Sequence, residues 1–184
     1  MNLAYDFGQA PFAVGSITFG RIDYEQGNFY LGEVKAGTNQ RHGRGVDVIL
    51  AEENPFILEA WWKDDDSNFR GRLIWASGDV YEGEVHNEVR TGKGTYRWPN
   101  GERYEGDWLD GNQHGQGTMH YVNGDRYEGQ WANDEESGKG TYFFANGDKE
   151  EGYWRLGQRY GYFTVVAADG KRRIKKYPEG TWLN

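Results

Sequence analysis

Tyr104-Glu105-Gly106-Asp107-Trp108 decides the fold, because its pattern recurs along the chain. Tyr81, Tyr104 and Tyr127 stand 23 residues apart. Gly83, Gly106, Gly129 and Gly152 keep that step, as do Gly92, Gly115, Gly138 and Gly161. A third glycine row holds Gly78, Gly101, Gly124, Gly147 and Gly170. Trp108, Trp131 and Trp154 follow the same step, with Val85 in the matching place. A step in the twenties marks a repeat architecture, one small unit stacked many times. Such chains mostly serve as extended binding surfaces.

Strand alternation puts Tyr104, Gly106 and Trp108 on one face and Glu105 and Asp107 on the other. In Gly115-Gln116-Gly117-Thr118-Met119-His120-Tyr121, the odd positions are again apolar or Gly. The pair reads as a half-solvated antiparallel hairpin. Cross-strand partners share a face. Trp108 is therefore expected opposite Gly115, and Gly106 opposite Gly117, across a four-residue loop Asp110 to Gln113. Pro99-Asn100-Gly101 suits a three-residue loop that places Trp98 opposite Glu102 and Tyr96 opposite Tyr104. Gly opposite Trp would let the large ring lie flat across the sheet. The expected fold is all-β: a single elongated antiparallel sheet of stacked β-hairpins, open at both ends.

The units at Tyr81-Glu82-Gly83-Glu84, at Tyr104 to Trp108 with His114-Gly115-Gln116-Gly117, and at Tyr127-Glu128-Gly129-Gln130-Trp131 resemble MORN repeats (membrane occupation and recognition nexus repeats). The resemblance is close over 81–149 and looser over 150–172, where Glu150 replaces Tyr and Phe163 replaces Gly. It is degenerate over 58–80, where Leu58, Ala60 and Phe69 replace Tyr, Gly and Gly. Tyr30-Leu31-Gly32-Glu33-Val34 with His42-Gly43-Arg44-Gly45 is another unit, with a longer loop, and Gly20 to Gly27 reads as a half unit. The resemblance implies one array over 17–177, with units near 30–57, 58–80, 81–103, 104–126, 127–149 and 150–172. Residues 1–16 are expected as an edge cover and 173–184 as a cap strand and tail.

With 28 Gly, 13 Tyr, 9 Phe and 8 Trp, and only 36% hydrophobic residues, rings rather than aliphatic side chains must supply the buried area. Cys is absent, which excludes a disulfide framework and a thiol nucleophile. No run is long enough to span a bilayer. Met1 to Asp6 lacks the pattern of a signal peptide, so a cytoplasmic chain is expected, in contact with cytoskeleton or membrane. The net charge of −8 argues against nucleic acid. The cations cluster in Lys171, Arg172, Arg173, Lys175 and Lys176, which read first as a guard on an edge strand. They are also the candidate contact for anionic lipid or an acidic partner.

The candidate partner-binding residues are Tyr96, Trp98, Tyr104, Tyr121, Tyr127, Tyr142 and Phe144, on a face that Trp108, Met119 and Trp131 also line. Exposed aromatic patches mark binding sites. Asp64-Asp65-Asp66-Ser67-Asn68 lacks the spacing and closing Glu of a calcium loop and reads as a solvated turn. His42 and His114 precede Gly43 and Gly115 and read as repeated turn residues; His86 and His120 have no repeated partner. No catalytic motif, metal site or cofactor site stands out. The expectation is a non-enzymatic scaffold or adaptor that binds a protein segment in an aromatic groove. The resemblance implies cytoskeletal or ciliary assemblies. An anionic-lipid tether and a regulatory segment of a larger enzyme assembly are the alternatives, and an open edge strand also allows a homodimer.

Overall fold

The computed structural model describes residues 15–67 and 69–178. Fourteen strands in chain order form one open antiparallel sheet, with no α-helix among the described residues. The expected edge cover of residues 1–16 lies outside the described residues except for Gly15 and Ser16. The chain divides into two compact units, Met1–Pro99 and Asn100–Asn184. The first holds β1 (Ile17–Asp23), β2 (Phe29–Lys35), β3 (Arg41–Ile49), β4 (Phe56–Trp62), β5 (Arg70–Trp75), β6 (Val80–His86) and β7 (Val89–Arg97). The second holds β8 (Arg103–Leu109), β9 (Asn112–His120), β10 (Arg126–Ala132), β11 (Glu135–Phe143), β12 (Lys149–Arg155), β13 (Gln158–Val166) and β14 (Arg172–Tyr177).

The repeated Tyr explains two of the glycine positions at once. Tyr104 is fully buried, and its ring lies flat across Gly106 and its cross-strand partner Gly117. Its hydroxyl donates to the backbone carbonyls of Asp107 (3.0 Å) and His114 (3.3 Å). Tyr30, Tyr81 and Tyr127 do the same over Gly32/Gly45, Gly83/Gly94 and Gly129/Gly140. Buried phenols need a partner, and each such bond contributes about 1 kcal/mol. The ring that lies across glycine is therefore Tyr and not Trp, contrary to the expectation. Trp stands on edge: Tyr104 meets Trp108 at 5.2 Å and Trp131 at 5.1 Å, both T-shaped.

The turn after the first strand also differs from expectation. Gly106 does face Gly117, but below that pair the register shifts. Trp108 then faces Gln113, and Leu109 faces Asn112. The turn is the two-residue Asp110-Gly111, with φ of 49° and 83°, and not a four-residue loop. A bulge at Gly115-Gln116 absorbs the extra residues, with Gly115 at φ 57°. The Asp107 carboxylate closes the bulge by accepting from the Gln116 N–H at 2.8 Å. Glu33, Glu84 and Gln130 do this for Arg44, Lys93 and Lys139. Gly115 does face a Trp, but it is Trp131 of the next repeat.

The three-residue loops inside the second unit follow the expectation. Tyr121 N–H donates to Asp125 at 3.0 Å around Val122-Asn123-Gly124, and Gly124 has φ 86°. That pairing sets Met119 opposite Tyr127. In the last repeat, two departures from the pattern compensate each other. Glu150 vacates the Tyr position, and the Phe163 ring covers Gly152 from the facing strand. Glu150 is buried, bonded to the Tyr177 hydroxyl at 2.7 Å and paired with Arg159 at 2.8 Å and Lys175 at 3.3 Å.

Candidate functional site

Two rows of rings run along the apolar face. The first is closed. Tyr104 and Tyr127 are 0% exposed, so a partner cannot touch them, and Trp108, Trp131 and Trp154 are nearly as deep. The second row is half-buried: Tyr96 and Trp98 in the first unit, Tyr121, Tyr142 and Phe144 in the second. The seven expected partner residues thus divide into two that hold the sheet together and five that remain accessible.

In the second unit the accessible rings are contiguous. Tyr121 stacks on Tyr142 at 5.8 Å, and Tyr142 meets Phe144 at 4.9 Å. The Tyr121 hydroxyl donates to Glu136 at 2.8 Å, and that of Tyr142 to Asp125 at 2.8 Å. Asp125 also accepts from the Ala145 N–H at 2.8 Å, which ties the loop to the row. Burial pushes the Tyr142 phenol up to about 12, with the Asp125 bond adding to it. Burial also pushes the Glu136 carboxyl above its ordinary value, against the pull of Tyr121 and Arg159. The Arg159 guanidinium lies 4.6 Å from the Tyr142 ring centre.

In the first unit, Tyr96 meets Trp98 at 4.6 Å and Trp75 at 5.6 Å, and Trp75 meets Phe56 at 6.4 Å. Arg90 lies 5.1 Å from the Tyr96 ring centre and 5.6 Å from that of Trp75. Sequence reasoning missed Trp75, although it stands one repeat step before Trp98. It also missed Arg90, Glu136 and Arg159, which share a repeat position but not a charge.

The basic run does not form one patch. Arg173 faces Val165 and Lys175 faces Phe163, on the aromatic side, while Arg172 and Lys176 alternate to the other side. Lys175 is committed to Glu150, Lys171 pairs with Asp169 at 2.7 Å, and Lys176 lies 5.2 Å from the Tyr162 ring centre. Asp64 pairs with Lys35 at 3.3 Å and meets His42 Nδ1 at 3.2 Å, so that turn is tied by an ion pair and a polar contact; Asn68 lies outside the described residues. No cluster of three metal-ligating side chains occurs among the described residues. His114 borders a shallow outer cleft of about 400 Å³ with Asp107, Gln130 and Ser137. His120 sits 3.2 Å from Arg103.

A family model described as the MORN repeat matches residues 81–103, 104–126 and 127–149. A search of the curated proteins finds no match. Among solved structures, the chain is similar to the SAS-4 (dCPAP) TCP domain of Drosophila melanogaster, in complex with a proline-rich motif of Ana2 (dSTIL). The TM-score is 0.49 at 11% identity, covering 96% of this chain and 100% of that one. It is also similar to a mutant of the TCP10 domain of Danio rerio CPAP. There the TM-score is 0.26 at 10% identity, covering 86% of this chain and 89% of that one. Flat Tyr rings, paired glycines and capped bulges recur at the spacing the family model describes: residues 81–149 are three consecutive MORN repeats.

Proposed function

We propose that this chain is a non-enzymatic scaffold that binds a protein partner through the accessible aromatic row, serving in a cytoskeletal or ciliary assembly in the cytoplasm. One observation carries the reading. The closed row of Tyr and Trp already covers the sheet, yet Tyr121, Tyr142 and Phe144 stay half-open beside it. Rings beyond those the core needs, contiguous and partly wet, are what a binding surface supplies. A partner segment laid along them would bury the rest of their area without distorting the sheet. The opposite face offers a different chemistry. Arg103 pairs with Glu105 and Arg126 with Glu128, leaving a solvated surface of satisfied charges.

The lipid-tether reading has less support, because the basic run is divided between two faces and Lys175 is already paired. The test is capture of partners from the chain's own cell extract with three baits. The double substitution Tyr121→Ala/Phe144→Ala should lose the partner that the parent protein captures. Glu105→Gln/Glu128→Gln should retain it, with thermal melts showing both variants folded. If the carboxylates prove essential and the rings dispensable, the site lies on the other face.

A further inference from the structure

We propose that the second unit takes a Lys or Arg side chain of the partner, with Glu136 as its counter-ion beside the ring of Tyr121. The inference rests on the aromatic-face reading above and adds the chemistry of what enters it.

Residues 90, 113, 136 and 159 occupy one place in successive repeats. Arg90 and Arg159 each lay a guanidinium over rings of their own unit. At the two intervening repeats the place is taken by Gln113 and Glu136. Arg159 serves the Tyr142 ring, so it is the Tyr121 ring, bonded to Glu136, that has no guanidinium over it among the described residues. The Glu136 Oε1 atom accepts from the Tyr121 hydroxyl at 2.8 Å. It forms no ion pair among the described residues. Arg159, the cation that pulls on it, is already paired with Glu150 at 2.8 Å and lies over the Tyr142 ring.

A half-buried carboxylate attracts a cation more strongly than a solvated one does, because less water screens it. The half-open Tyr121 ring adds a second attraction for the same charge. An uncharged partner group would cover the carboxylate and leave it uncompensated, which is costly. Burial pushes the Glu136 carboxyl above its ordinary value, against the pull of the Tyr121 hydroxyl and Arg159. The net charge of −8 also favours approach of a basic segment.

The probe is a random peptide library displayed on phage and panned on the immobilised full chain, on Glu136→Gln, and on Tyr121→Ala/Phe144→Ala. Against the parent, selected peptides should be enriched in Lys or Arg at a fixed offset from apolar residues. With Glu136→Gln the basic position should lose its enrichment while the apolar positions persist. Basic enrichment that survives Glu136→Gln, or apolar binders without it, overturns the inference and leaves the aromatic-face reading standing. If no peptide is selected, or if Tyr121→Ala/Phe144→Ala selects the same set, both readings fail.

Discussion

Tyr104 lies so close over Gly117 that a Cβ atom added there would stand 2.5 Å from the ring carbons Cε2 and Cζ. The glycine is not needed for its backbone angles, since its φ is ordinary. It is needed because the ring occupies the space where a side chain would go.

Gly117→Ala should therefore destabilise by about 1–3 kcal/mol through overpacking. The diagnostic is a double-mutant cycle with Tyr104→Leu, measured by denaturant unfolding. Removing the ring should make the alanine cheaper, with a coupling above about 0.5 kcal/mol. Additive effects would mean that the ring and the glycine do not constrain each other.

Gly115 and Gly161 share a repeat position and a positive φ, of 57° and 74°. A Cβ at Gly115 would meet the Asp107 side chain at 2.7–3.1 Å, whereas at Gly161 nothing lies within 4 Å. Both alanine substitutions carry the left-handed strain, worth about 1–2 kcal/mol. Only Gly115→Ala also displaces the carboxylate that closes the bulge. Thermal melts should show Gly115→Ala as the more damaging of the two; equal losses would remove the cap from the account.

Much of this was legible in the sequence. The fixed step gave the repeat, strand alternation gave the two faces, and Val122-Asn123-Gly124 and Ala145-Asn146-Gly147 gave three-residue loops. The bulge was hidden, because parity counts residues along ideal strands, and two extra residues at Gly115-Gln116 pass as a longer loop. That hid the role of Tyr as well. With Trp108 misplaced opposite Gly115, Trp looked like the ring that needs a bare backbone. The division of the rings into closed and open rows was also out of reach. Tyr104 and Tyr121 both read as apolar-face tyrosines, and only packing shows one sealed beneath tryptophans and the other half-open.

Asp47 gives a pH signature. It faces Tyr30 and Leu58, is fully buried, and pairs with Arg41 at 2.5 Å and with the Tyr24 hydroxyl at 3.1 Å. Burial pushes its carboxyl up to about 6, against the pull of Arg41 and Tyr24. The folded value lies above the unfolded one, so folding favours the protonated form. Its contribution to stability is present below the unfolded value and is lost as pH rises through about 6. Unfolding free energies of the parent minus those of Asp47→Asn should fall by about 1–3 kcal/mol between about pH 4 and pH 7. A difference that is flat or rises over that range would show that Arg41 fully offsets the burial.

The central claim is that the half-open rings, and not the outer face, receive the partner. Fluorine NMR of the chain labelled with 3-fluorotyrosine tests it most directly, with signals assigned through single Tyr→Phe variants. On adding the captured partner, the Tyr121 and Tyr142 signals should shift. The sealed Tyr104 and Tyr127, and Tyr153 and Tyr162, exposed on the outer face, should hold still. Shifts at Tyr153 and Tyr162 with Tyr121 and Tyr142 unmoved would contradict the account.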